Sequence, residues 1–171
     1  FIGEMLAMNA GSGDEIAVPT TLQALLAARI DRLDPRERRV LERGSVEGEV
    51  FHRGAVQALI PEESQLEPRL TALVRRELIR PVVAHHEGED AFRFRHLLLR
   101  DAAYGALPKA SRAALHERHA DWLEQRGGEL DEFLGYHLEQ AARYKHEVGQ
   151  PDPALAERAG VATSALRYYE T

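Results

Sequence analysis

The residues Phe92–Leu107, FRFRHLLLRDAAYGAL, decide the fold. The stretch opens with alternation, Phe92 and Phe94 on one side and Arg93 and Arg95 on the other, the pattern of a strand that buries one face. At His96 the period changes. Leu98, Ala102 and Gly105 then fall on one helical face, widened by Leu97, Leu99 and Ala103, so the strand runs into an apolar helix that stops near Pro108. His96 therefore sits at a strand-to-helix junction. Free backbone N–H groups and the positive end of a helix dipole point outward at such a place, and an imidazole there could help hold an anion such as a phosphate.

Working upstream, Leu78–Ala84 reads as a second strand, joined to Ala91–Arg95 by the polar turn at His85–Asp90 that contains Gly88. The residues before it are helical. In Thr20–Leu33 the residues Leu22, Leu25, Leu26, Arg29, Ile30 and Leu33 recur at helical spacing. Arg29 is the odd member of that face: either its stem packs while its head reaches solvent or Asp31 or Asp34, or it contacts a partner domain. Asp34-Pro35-Arg36-Glu37 starts a second helix, with an N-cap aspartate and proline in the first turn, and Val40 and Leu41 carry its face towards Gly44. Phe51, Ala55, Val56, Leu59 and Ile60 suggest a third helix. Leu66, Leu70, Leu73 and Val74 suggest a fourth, with Pro68 in its first turn. Helices followed by a β-hairpin are the order of a winged helix-turn-helix, here about residues 15–108.

From Lys109 onward the texture is helical only. Leu115, His119, Trp122 and Leu123 mark one face, Gly127-Gly128 breaks the run, and Leu134, His137, Leu138 and Ala141 mark the next. A third helix is expected over Pro153–Tyr169. At the other end, Phe1–Met8 reads as a helix entered partway along, followed by a loop at Asn9–Asp14, so the chain is expected to be an excised fragment.

Composition narrows the function. Hydrophobic residues make up 44% of the 171, enough for a packed core, and no apolar run approaches the roughly 20 residues of a membrane span. Cysteine is absent, which removes disulfides and thiolate metal sites. The net charge of −6 gives no global attraction to nucleic acid. No G-x-x-x-x-G-K-[ST] loop occurs, no serine sits in a G-x-S-x-G elbow, and Glu62-Glu63 lies where a helix start favours acidic side chains. The expectation is a chain with no catalytic residues and no enzyme activity of its own.

RHLLLRDAA, Arg95–Ala103, resembles the Met-His-Asp segment, followed by Leu-Leu-Arg-Asp, in the winged-helix domain of signal-transduction ATPases of the STAND class, which include NB-ARC proteins. The closest likeness is to bacterial regulators in which that ATPase is linked to a class III adenylate or guanylate cyclase, a LuxR-type DNA-binding domain or a protein kinase. The resemblance implies a cytoplasmic, mainly α chain in three parts. Residues 1–14 would be the tail of the ATPase lid helix and a linker, and 15–108 a winged helix-turn-helix with a two-stranded β-hairpin wing. Residues 109–171 would be antiparallel, tetratricopeptide-like helices that bind a protein or a small molecule. It also implies that His96 contacts the β-phosphate of ADP bound to the upstream ATPase domain, although Leu97 stands where the motif has aspartate. Arg29, Arg95 and Arg100 become possible contacts to that core. ATP or ADP with Mg²⁺ would belong to the parent protein, and this chain would hold no cofactor itself.

Two other readings compete. Eight histidines invite a metal site. His116 with His119 is an i, i+3 pair, but His119 falls on the apolar face and His116 does not, and no spacing such as H-E-x-x-H is present, so the expectation is no metal. A DNA-binding winged helix is the alternative function. Its recognition helix near Leu66–Glu77 would offer Arg69, Arg75 and Arg76 alongside Glu67 and Glu77, a mixture poorly suited to phosphates.

Overall fold

Asp34 begins the helix on which the N-terminal half is built. Its carboxylate accepts the backbone N–H of Arg36 at 2.9 Å, and Pro35 occupies the first helical position, where its missing N–H costs nothing. The computed structural model describes residues 20–84, 88–127 and 131–169. In chain order these form α1 (Thr20–Asp31), α2 (Pro35–Glu47), β1 (Val50–His52), α3 (Arg53–Leu59), α4 (Leu66–Arg75), β2 (Ile79–Val82), β3 (Ala91–Phe94), α5 (Leu97–Gly105), α6 (Lys109–Arg126), α7 (Asp131–Glu147) and α8 (Pro153–Tyr169). The fold is thus mostly helical with one small antiparallel sheet. The expected helix end and linker over 1–14, and the first residues of the expected turn, 85–87, lie outside the described residues.

The sheet has three strands in the order β1-β3-β2, not the two expected. Val50–His52, read from sequence as the start of a helix, pairs with β3 in the register Val50↔Arg93, Phe51↔Phe92, His52↔Ala91. The physical reason is Phe51. Its ring is fully buried, 5.8 Å from Phe92 and 5.4 Å from Phe94, and this aromatic cluster closes the inner face of the sheet. The same ring explains Gly44, which lies inside α2. A Cβ at Gly44 would stand 3.0 Å from three atoms of the Phe51 ring, so glycine lets the helix pass the aromatic, and α2 continues to Glu47.

On the inner side of the sheet, α2, α4 and α5 enclose a core that includes Val40, Leu41, Leu70, Leu73, Ile79 and Leu99. The connection from α4 to β2 is tight: Glu77 takes a left-handed φ of 56°, and the Leu78 amide donates back to the Leu73 carbonyl at 3.1 Å. Two expected faces are corrected. In α5 the buried residues are Leu99 and Ala103, while Leu97 is 54% exposed and Gly105 is exposed, so the face is rotated by about one residue. In α1 only Ile30 is buried. Leu26 packs partly on the core, and Leu22 and Leu25 face outward.

Helix α6 leaves this core through a bridge of Val46, Leu59, Leu107 and Leu115, backed by Tyr104, and then packs along α7, which packs on α8. Lys109 at the start of α6 pairs with Glu147 at the end of α7 at 2.8 Å, so the two helices run antiparallel. The apolar cluster holding α6, α7 and α8 is Ala120, Leu138, Ala141, Leu155 and Ala159. Small side chains allow close approach but bury little area, whereas each large side chain of the sheet-side core contributes about 1.5–3 kcal/mol. The α7–α8 end therefore buries fewer large apolar side chains than the sheet-side core. Among the described residues no helix is long and apolar enough to cross a membrane.

Candidate functional site

The β3–α5 junction forms as the alternation required: Ala91, Phe92 and Phe94 are buried, Arg95 and His96 are exposed, and α5 begins at Leu97. His96 is the N-cap residue, with extended backbone at φ −141° and ψ 138°, and its carbonyl accepts the Leu99 amide at 3.0 Å. Its side chain makes no capping bond, and its imidazole has no hydrogen-bond partner among the described residues. An exposed, unpartnered imidazole at a helix start is free to meet a ligand or partner there.

The three candidate arginines are not gathered around it. The Arg95 amide donates to the Leu78 carbonyl at 3.0 Å, which fixes its backbone beside β2 and leaves its side chain outside. Arg29 adjoins the same place from α1. Its Nη2 donates to the Arg76 carbonyl at 2.8 Å, in an open cleft lined by Leu25, Arg29, Arg32, Arg76 and Leu78. Neither Asp31 nor Asp34 holds it. Arg100 points elsewhere: its Nε donates to the Ser45 carbonyl at 2.9 Å, its Nη1 to Asp101 at 3.1 Å, and its guanidinium lies 4.8 Å from the centre of the Tyr104 ring. Arg100 therefore joins α5 to α2 from within.

His96, Arg100 and Tyr104 are four residues apart and follow one side of α5 down to a second polar centre, which the sequence did not disclose. There three histidines are buried: His116 and His119 of α6 and His137 of α7 are 0%, 1% and 1% exposed. The reading of His116 as lying off the packed face is wrong. Leu115 meets α3 while His116 and Ala120 meet α5 and α7, so α6 is buried on two sides, and a single-face reading places half of it in solvent.

The donors in this centre fall into one chain. Tyr104 OH donates to Tyr144 OH at 3.1 Å, so the 2.8 Å contact between Tyr104 OH and His116 Nε2 has the imidazole as donor. His116 Nδ1 is then bare, and it accepts from His137 Nδ1 at 2.8 Å. Two nitrogens on one tetrahedral zinc would stand about 3.3 Å apart, so 2.8 Å is a hydrogen-bond separation. The His119 ring lies 4.2 Å from His137 and 5.4 Å from Trp122, and its Nδ1 is buried without a partner. Burial keeps all three imidazoles neutral: it lowers His116 to about 3, His137 to about 2, and His119 in the same direction. Burial, then the bond to Tyr144, raises the Tyr104 phenol. The i, i+3 spacing and the apolar setting of His137 were visible in the sequence, but not that the two helices bring them together.

The basic residues of the expected recognition helix are largely occupied. Arg69 pairs with Asp34 at 3.8 Å and Arg76 with the buried Glu37 at 3.1 Å, while Glu67 pairs with Arg53 at 3.2 Å. Arg126 at the end of α6 grips Glu89, just before β3, through two bonds of 3.1 and 2.8 Å, which ties Glu89 to the helical part. Comparison with protein-family models, with curated proteins and with solved structures gave no match to this chain.

Proposed function

We propose that this chain is the regulatory and interaction module of a nucleotide-dependent signalling ATPase of the STAND class. In this reading residues 15–108 are a winged helix whose β3–α5 junction contacts the ADP-bound upstream ATPase core, and α6–α8 begin a tetratricopeptide-like array for protein or small-molecule partners. His96 carries the reading. It stands exposed and unpartnered at the N-cap of α5, in the position that the RHLLLRD resemblance assigns to the phosphate-contacting histidine. The order α2-β1-α3-α4-β2-β3 with the sheet order β1-β3-β2 supports a winged helix, and the antiparallel α6 and α7 support an array. Arg29 and Arg95, both beside Leu78, are the arginines placed to reach the core, whereas Arg100 serves the fold. The ion pairs on α4 favour a protein partner over DNA. ATP or ADP and Mg²⁺ belong to the ATPase domain, and the whole protein is cytoplasmic.

The test uses the chain joined to its upstream ATPase sequence. A hydrogen bond to a charged phosphate is worth about 1.5–3 kcal/mol, so His96→Ala is expected to speed ADP release about tenfold to a hundredfold and to raise basal output. His146→Ala, at an exposed position at the far end of α7, is the control. Unchanged ADP release in the His96 variant, with loss of thermal stability, would make His96 a structural residue. The isolated chain is expected to show no micromolar ATP or ADP binding by calorimetry, since it has no phosphate-binding loop. A salt-dependent anisotropy titration with random duplex DNA separates the alternative function.

A further inference from the structure

We infer that the histidine cluster between α5, α6 and α7 is an acid-sensitive latch, whose protonation releases α7 and α8 from α6 while the sheet-side core stays folded. The inference is independent of the function proposed above. It rests on how the hydrogen bonds are polarised. The His137–His116 bond needs one bare Nδ1, and the chain of donors through Tyr104 and Tyr144 leaves that lone pair on His116. A proton added there sets two N–H groups against each other across 2.8 Å, whereas a proton on the other nitrogen of His137 leaves that bond but places a positive charge in a buried site lined by arginines.

Among the described residues, nothing around the cluster offers an incoming proton a ready counter-charge. From α5 it is faced by Arg100 and Tyr104, from its own helix by Arg112, and from α7 by Arg143, Tyr136 and Tyr144. Toward α3 the helix presents the apolar Leu115–Leu59 contact. The end of α2 and β1 supply Glu47 and His52, which act on His119, but Glu47 is already bonded to the His52 ring at 2.6 Å and to its amide at 2.8 Å. Among the described residues, three arginines and no free carboxylate face the cluster, which favours the neutral state.

The sign follows from burial. In water an imidazole titrates near 6.5, and inside the cluster its affinity for protons is far lower. The closed state is therefore fully favoured above pH 6.5 and loses about tenfold per imidazole for each pH unit below it. The part that yields first is the weakest one, and the α6–α7–α8 cluster contains three alanines among its five buried residues, while the buried histidines among the described residues all lie on α6 and α7, and the one histidine of the sheet, His52, is half-buried and already bonded to Glu47. Opening exposes the faces of α6 and α7 that now cover each other.

Hydrogen exchange of the whole chain at pH 7.5, 6.5, 5.5 and 5.0, corrected for intrinsic rates, tests this directly. Amides of α7 and α8 are expected to lose at least about tenfold in protection between pH 6.5 and 5.0, while Phe92 and Phe94 keep theirs. Trp122, the sole tryptophan and a neighbour of His119, gives a parallel fluorescence change. His137→Gln can still donate to His116 Nδ1 but cannot titrate, and it should lower the number of protons taken up on opening by about one; His52→Gln, outside the cluster, should not. Protection of α7 that is unchanged down to pH 5.0 would overturn the inference. So would loss of protection in α7 and the sheet at the same pH, which is plain acid denaturation. If the His137 variant does not fold, the wild-type exchange profile alone decides between these outcomes.

Discussion

Asp34 and Gly44 act on the same helix by opposite means, one by supplying an atom and the other by omitting one. Replacing Asp34 with alanine removes the acceptor for the Arg36 amide and should cost about 1 kcal/mol, read from chemical denaturation midpoints at constant slope. Gly44→Ala would ordinarily raise helix propensity, yet its methyl would meet the Phe51 ring at 3.0 Å from three carbons. We expect a net loss of about 1–3 kcal/mol from overpacking, and a gain in stability would show that the ring moves aside at no cost. These two residues also mark the limit of sequence reading at this scale. Asp34 was legible because its partner is two residues away. Gly44 was followed only as the point towards which the Val40 and Leu41 face runs, and the Phe51 ring that requires a glycine there lies on another element. His116 was misplaced for the same reason, since His137 stands 21 residues off.

At the level of elements, the junction at His96 was legible and β1 was not. The switch from alternation to helical period is carried by consecutive residues, and the structure ends β3 at Phe94 and begins α5 at Leu97, on either side of that switch. Val50–His52 has three residues, too few to display a period, and Phe51, Ala55 and Leu59 also satisfy helical spacing. Only the free edge of β3 reveals the third strand. Phe51 is the test of its importance: it fastens β1 to β3 and fills the space over Phe92 and Phe94. Phe51→Ala should lose about 3–5 kcal/mol, enough to lower the melting temperature by about 6 °C or more. Exchange at the Phe92 and Phe94 amides should accelerate in step, because in this register they face β1, the Phe94 amide donating to the Glu49 carbonyl at 3.0 Å. A melting temperature within about 2 °C of wild type would mean that β1 is an ornament on a two-stranded hairpin.

Across the whole molecule, charge is spread as local pairs on the surface, and this separates the effects of salt and of acid. The helical part carries Lys109–Glu147, Lys145–Glu117, Lys145–Asp152, Arg158–Asp121 and Arg158–Glu124, all between side chains in contact with solvent. Exposed pairs of this kind are worth about 0–1 kcal/mol each and are screened as ionic strength rises. Screening also relieves the repulsion within a chain of net charge −6, which opposes the loss. Raising sodium chloride from about 0.1 to 0.5 M at pH 7.5 should therefore move the melting temperature by no more than about 3 °C. Acid acts on groups that salt does not reach. His116, His119 and His137 hold stability above pH 6.5 that fades as pH falls, because burial lowers their affinity for protons. His52 works the other way: its bond to Glu47 raises its affinity, so its contribution is complete below pH 6.5 and is lost as pH rises through its folded value. Three imidazoles against one give a melting temperature that climbs from pH 5 to pH 7.5, measured at fixed ionic strength by calorimetry. A steep fall with salt and a flat response to pH would reverse this assignment, placing the attachment of α7 and α8 in their surface pairs instead of in the buried histidines.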